Sequence, residues 1–245
     1  MSEQTLDKLR KMRLPAFAEE YQKQKGNAFY HDMTFDDRLT LMVDREFDTR
    51  SNNTVTSNIR KAGFYDSNAC LENINYKPER KIDKNLINEL HTNEYIKSGL
   101  NIILIGAAGS GKTWISCAFG VNACRHKLKV QYIRCPELMN DFEVARIQGT
   151  YRRFLKQLNK IDLLILDEFL LTGVSDEERN DLLELIESRC NRKSTIFCSQ
   201  WSPQGWYQRL GEGPVADAIL DRILNSSYTI TLNGSSMRED YSRIR

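Results

Sequence analysis

NIILIGAAGSGKTWISCAFGVNACRHK, residues Asn101–Lys127, changes character twice. Asn101–Gly106 is a short apolar run and reads as a buried strand, whereas Gly111–Lys127 reads as a helix. Between them Gly106–Thr113, GAAGSGKT, matches G-x-x-x-x-G-K-[ST] in full. Each part of that pattern has a chemical use. Small residues let backbone N–H groups close around phosphate oxygens. The helix N-terminus adds partial positive charge. Lys112 can reach β- and γ-phosphates, and Thr113 can ligate Mg²⁺. The candidate nucleotide contacts are Gly106, Ala107, Ala108, Gly109, Ser110, Gly111, Lys112, Thr113 and Trp114, with ATP and Mg²⁺ as the implied ligands.

Downstream the alternation continues. LKVQYIR, DLLILD, STIFCSQ and SYTITL read as strands. PELMNDFEVARIQGTYRRFLKQLN supplies one or two helices before DLLILD, and SDEERNDLLELIESRCNR one after it. PQGWYQRL and VADAILDRILN lie before the last strand. Ser175 and Glu178 carry the spacing of a capping box. Strands alternating with helices predict an α/β fold, a parallel sheet covered on both faces. Such sheets bind ligands at the carboxyl ends of their strands.

KIDLLILDEFLL, Lys160–Leu171, places two acids at such an end, Asp167 and Glu168, with more apolar chain to follow. Buried acids without partners cost several kcal/mol or shift their pKa values. Beside a phosphate loop both acquire a role. Asp167 can hold the Mg²⁺ shell together with Thr113, and Glu168 can polarise an attacking water as general base. A small-molecule kinase has less need of that base, because its acceptor is the nucleophile. The pair therefore favours ATP hydrolysis, with Glu168 and Lys112 as catalytic candidates.

Composition removes several other classes. The 245 residues allow one full domain plus an extra module. A net charge of +2 says nothing about nucleic acid, so any DNA surface must be local. The six cysteines have no C-x-x-C spacing and His31, His91 and His126 lie far apart, which argues against disulfides and zinc and for a reducing cytoplasm. No signal core and no membrane-length apolar run is present, so no membrane partner is expected. Residues 1–65 read as an all-α module, with Leu39, Leu41, Met42, Val43 and Phe47 as core candidates. Residues 66–100 read as a linker and the start of the ATPase domain, and 101–245 as its core.

A whole strand-helix unit separates the phosphate loop from the acids. That insertion, with Glu168 beside Asp167, resembles the AAA+ branch of P-loop ATPases. The resemblance implies that Gln200, with Ser199 beside it, senses the γ-phosphate. It implies that Arg222 reaches the γ-phosphate of a neighbouring subunit; otherwise Arg222 pairs with Asp217 or Asp221 on its own helix. Most AAA+ proteins carry a helical lid after the last strand, and the tail NGSSMREDYSRIR is too short for one. Arg238 would then be a cut-down second sensor or a solvated tail residue.

A lidless AAA+ core behind a small helical module resembles the clade of helicase loaders and IstB-type transposition helper ATPases. GLNIILIGAAGSGKT, RNDLLELIESR, TIFCSQWSPQGWYQRLGEGPVADAILDRI and LNGSSMRED look like IstB in particular, as does the opening LDKLRKMRLPAFAEEYQ. The likeness covers nearly the whole chain. It implies an ATP-dependent homo-oligomer that works on duplex target DNA with its cognate transposase. A replicative helicase loader, and a nucleotide-gated DNA scaffold without turnover, are the alternatives.

ARIQGTYRRFLKQLNKI, residues 145–161, holds Arg146, Arg152, Arg153, Lys156 and Lys160 and no acid. Arg152, Lys156 and Lys160 recur every four residues, on one face of a helix, while Phe154, Leu155 and Leu158 can anchor its other side. The segment is the DNA-binding candidate, or else an ordinary solvated basic face. KLRKMR in the N-terminal module is a second basic cluster.

Overall fold

The computed structural model describes residues 3–234, 236 and 237, and Arg238 lies outside them. The chain divides into two compact units, Met1–Ser57 and Asn58–Arg245. The first is helical: α1 (Glu3–Lys11), α2 (Pro15–Lys25) and most of α3 (Phe35–Ala62). Pro15 opens α2, where its missing N–H is no loss. The Glu46 carboxylate, buried on α3, accepts from Phe17 N at 3.0 Å and Arg50 Nε at 2.7 Å. Of the five core candidates on α3 only Met42 is buried; Leu39, Leu41, Val43 and Phe47 are 36–64% exposed. α3 is 28 residues long, while the other helices among the described residues of its unit are α1 and α2, of 9 and 11 residues, and the single turn Ala28–Tyr30. Helical periodicity marks the apolar residues, but not which of them a short partner can cover.

The second unit takes in the end of α3 and the short 3-10 turns Leu71–Asn73 and Pro78–Arg80, then α4 (Lys84–His91) and α5 (Glu94–Lys97). Asp83 caps α4, accepting from the backbone N–H groups of Asn85 and Leu86. The alternating part follows as β1 (Asn101–Gly106), α6 (Lys112–Arg125), β2 (Val130–Arg134), α7 (Cys135–Ile147) and α8 (Tyr151–Leu158). It continues as β3 (Leu163–Asp167), α9 (Asp176–Arg189), β4 (Ser194–Ser199), α10 (Pro203–Arg209), α11 (Gly213–Leu224) and β5 (Ser227–Leu232). The strands form one sheet in the order β2-β3-β4-β1-β5, every pairing parallel.

Strand alternation divides the core into two layers. Ile102, Leu104, Leu163, Ile165, Ile196 and Cys198 face α6 and the segments before β1. Ile103, Leu164, Leu166 and Phe197 face the layer that contains α7 to α11. Such strands read as continuous apolar runs because both faces are covered. α6 is buried along nearly all its length and packs across β1 to β4. The capping box on Ser175 and Glu178 starts α9. All strands run the same way, so the loops after β1, β2, β3 and β4 open on one edge. β4 alone separates β3 from β1, which sets the acids after β3 near the phosphate loop. No helix among the described residues is long and apolar enough to cross a membrane.

Candidate functional site

The loop between β1 and α6 has the close backbone approaches that its small residues permit. A Cβ on Gly106 would stand 2.6 Å from Ser110 Oγ and 2.7 Å from the Leu232 carbonyl. Gly111, at φ +92°, turns the chain into α6 in a conformation that side chains disfavour. Ser110 Oγ is buried and has no hydrogen-bond partner in this structure. A buried hydroxyl so left is costly, and an anion in the loop is a suitable acceptor for it. The Lys112 ammonium folds onto the loop, donating to the Gly106 carbonyl at 2.7 Å and the Ala107 carbonyl at 2.9 Å.

Three donors hold Asp167, which is only 4% exposed. Thr113 Oγ1 and the Tyr132 hydroxyl each donate to Oδ2 at 2.7 Å, and the Glu168 backbone N–H donates to Oδ1 at 2.9 Å. Burial, then the bond to Asp167, drives the Tyr132 phenol pKa far upward, so it stays a protonated donor. The Asp167 carboxylate and the Thr113 hydroxyl form an all-oxygen donor set at the mouth of an anion cradle, which fits Mg²⁺.

Glu168 follows with a left-handed backbone, φ 55°, and Leu170 repeats the turn at φ 52°. Phe169 between them is fully buried against Phe197 and Trp206, with ring centroids 4.8 and 5.0 Å away. This accounts for the apolar chain after the acids: Phe169 is a core wedge that turns Glu168 outward. The Glu168 Oε2 is gripped by Arg134, from Nε at 3.1 Å and Nη2 at 2.7 Å. The pairing with Glu168 raises the Arg134 pKa, so the guanidinium stays charged.

These groups line one cleft of about 1090 Å³. Of the residues picked from sequence, Gly109, Gly111, Lys112, Thr113, Trp114, Asp167 and Glu168 border it, while Gly106, Ala107, Ala108 and Ser110 complete the loop. Sequence reasoning missed Arg80, Tyr132 and Arg134. Arg80 is buried and donates from Nη2 to the Ser110 carbonyl at 2.7 Å and from Nη1 to the Asn75 carbonyl at 2.9 Å. Arg134 had a signal: it ends β2, in register with Asp167 ending β3.

Gln200 is exposed just past β4 and does not border the cleft. Ser199 is buried, donating to the Phe169 carbonyl and accepting from Trp206 Nε1, both at 2.8 Å. Arg222 also stands away from the cleft. It donates to the Ala218 carbonyl at 2.9 Å and pairs at 3.5 Å with Glu187 of α9, whereas Asp221 takes Asn225.

Arg152, Arg153, Lys156 and Lys160 share a separate concavity of about 650 Å³ with Gly149, Thr150 and Gln157. All four cations are exposed, and Lys160 stands in the turn beyond α8. Leu155 and Leu158 are buried beneath them, and Phe154 packs edge-on against Phe142 at 5.2 Å. Arg146 is elsewhere. It pairs with Asp181 and, at 3.6 Å, with Glu177, and it lies over the Tyr151 ring at 5.3 Å.

The family model described as IstB-like ATP binding protein matches residues 7–244. An insertion-sequence ATP-binding protein of Sinorhizobium fredii is 34% identical over 239 residues, 98% of this chain and 97% of its own. One from Pseudomonas fluorescens is 36% identical over 200 residues, 82% of this chain and 87% of its own. Among solved structures, the DnaC helicase loader superposes with a TM-score of 0.57 at 21% identity, covering 68% of this chain and 97% of its own. AMPPCP-bound DnaA from Aquifex aeolicus gives 0.60 at 20%, covering 73% and 54%. Such low identities speak for the shared AAA+ fold alone. The family match runs through both units and takes in every residue placed so far at the cleft, and on that ground the chain belongs to the IstB-like ATP-binding proteins.

Proposed function

We propose that the protein is an ATP-hydrolysing helper of DNA transposition. It binds Mg²⁺-ATP in the cleft, assembles into an oligomer on duplex DNA through the Arg152–Lys160 surface, and recruits its cognate transposase. Hydrolysis then releases the assembly. The observation that carries the ATPase reading is the convergence of Lys112, Thr113, Asp167 and Glu168 on one cleft. The relatives' association with insertion sequences supports the transposition context.

The loop N–H groups and the start of α6 receive the phosphates. Lys112 exchanges its loop carbonyls for phosphate oxygens, neutralising charge that builds during transfer. When bound, Mg²⁺ supplies Lewis-acid charge at the β- and γ-phosphates, held by Thr113 and Asp167. Glu168 accepts the proton of the attacking water. Arg134 occupies Oε2, so in this reading the base is held back while that pair is intact.

Lys112→Ala should lose nucleotide binding. Glu168→Gln should bind ATP and DNA normally while phosphate release falls by about 100-fold or more. Fluorescent-nucleotide titration and phosphate release measure the two separately. Turnover of Glu168→Gln at the parental rate would remove the base assignment. Affinity capture that brings down a replicative helicase and no transposase would move the protein to the helicase loaders.

A further inference from the structure

We infer that Tyr132 is a positioning residue for the divalent cation, and that its hydroxyl fixes which oxygen of Asp167 the cation's shell can use. This inference rests on the reading of the cleft as a Mg²⁺-nucleotide site. An ionised carboxylate offers about four lone-pair positions, two on each oxygen. On Asp167, Oδ2 takes two hydroxyl donors, Thr113 Oγ1 and the Tyr132 phenol, both at 2.7 Å. Among the described residues, Oδ1 takes the Glu168 backbone N–H alone, at 2.9 Å. Oδ2 is thus saturated by the protein, and one position on Oδ1 remains.

The bonds also settle the direction of the threonine. Thr113 spends its proton on Asp167, so its lone pairs are left for the cation. Both features depend on Asp167 keeping one orientation. An Asp terminal torsion is soft and roughly two-fold, so packing alone holds it weakly. The phenol is a donor suited to hold it, because Tyr132 lies on β2, outside the phosphate loop. Without it, Oδ2 regains a free position that competes with Oδ1 for the cation, and only the Thr113 and Glu168 donors still resist a turn of the carboxylate.

Mg²⁺ demands near-ideal octahedral geometry, whereas Ca²⁺ accepts irregular shells. Loss of the orienting hydroxyl should therefore penalise Mg²⁺ selectively. Tyr132→Phe keeps the ring and removes one oxygen. Titrating Mg²⁺ and, separately, Ca²⁺ into full-length protein with a fluorescent non-hydrolysable ATP analogue reads cation-dependent binding without turnover. Tyr132→Phe should raise half-saturating Mg²⁺ by about tenfold or more. Half-saturating Ca²⁺ should shift by less than about threefold, and analogue binding in EDTA should match the parent. An unchanged Mg²⁺ requirement overturns the inference, as does an equal rise for both cations, which would mean a general loss of charge or packing. A parent protein with no cation-dependent analogue binding instead overturns the reading of the cleft itself, and the two failures are told apart by the parent's titration.

Discussion

Arg134 gives Glu168 an ion pair in the place where a water would be activated. The pair is partly exposed, with side-chain accessibilities of 48% and 32%, and exposed pairs are weak. It can therefore hold the base back without locking it. Arg134→Ala should raise DNA-independent ATP turnover a few-fold and shrink the stimulation that DNA gives, measured as phosphate release with and without duplex. A fall in basal turnover would instead assign Arg134 to the phosphates. Arginine at a strand end carries no motif, and the sequence alone does not single this one out. Its partner is legible only through register, which pairs Arg134 with Asp167 and thereby sets it one residue from Glu168. Lys112 and Thr113 were legible because the loop spacing fixes them chemically, and Asp167 because an acid ending an apolar strand takes on a role beside such a loop.

At the scale of elements, α8 divides its work between two faces. Leu155 and Leu158 are buried, while Arg152, Arg153 and Lys156 are exposed. Replacing those three cations by alanine should leave the fold intact. If all three contact phosphates, the slope of log K against log salt should lose about 2.7 for duplex DNA. An unchanged slope would place the DNA elsewhere. Arg146, from the same sequence stretch, should behave differently. Its alanine variant takes the cation from Asp181, which is 3% exposed, and should cost about 1–2 kcal/mol in thermal unfolding with little change in that slope. The spacing of charges does not separate these arginines. The break between α7 and α8 at residues 148–150 does, by turning Arg146 toward α9.

At the scale of the whole molecule, the cleft gathers Asp167, Glu168 and Lys112, the proposed metal acid, base and loop lysine, while Arg222 stands apart from it beside Glu187. A role for Arg222 in turnover thus calls for a second subunit. Mixing inactive Arg222→Ala with inactive Lys112→Ala should partly restore ATP turnover if the sites are shared. No recovery with assembly intact would leave Arg222 a structural partner of α9. The five strands could be read from apolar patterning and the phosphate loop from its motif spacing, because each is a local pattern, and the alternation of strands and helices gave the α/β class. Strand order and the exposure of the α3 apolar residues could not, since both depend on which surfaces meet after the chain has folded.

The left-handed backbone at Glu168 has a consequence for how this site tolerates change. A residue at φ 55° carries strain that a glycine would release. Replacing Glu168 by glycine would release that strain but would also remove the ion pair with Arg134 and, if Glu168 is the proposed base, turnover as well. Stability and the proposed turnover therefore make different demands on this position.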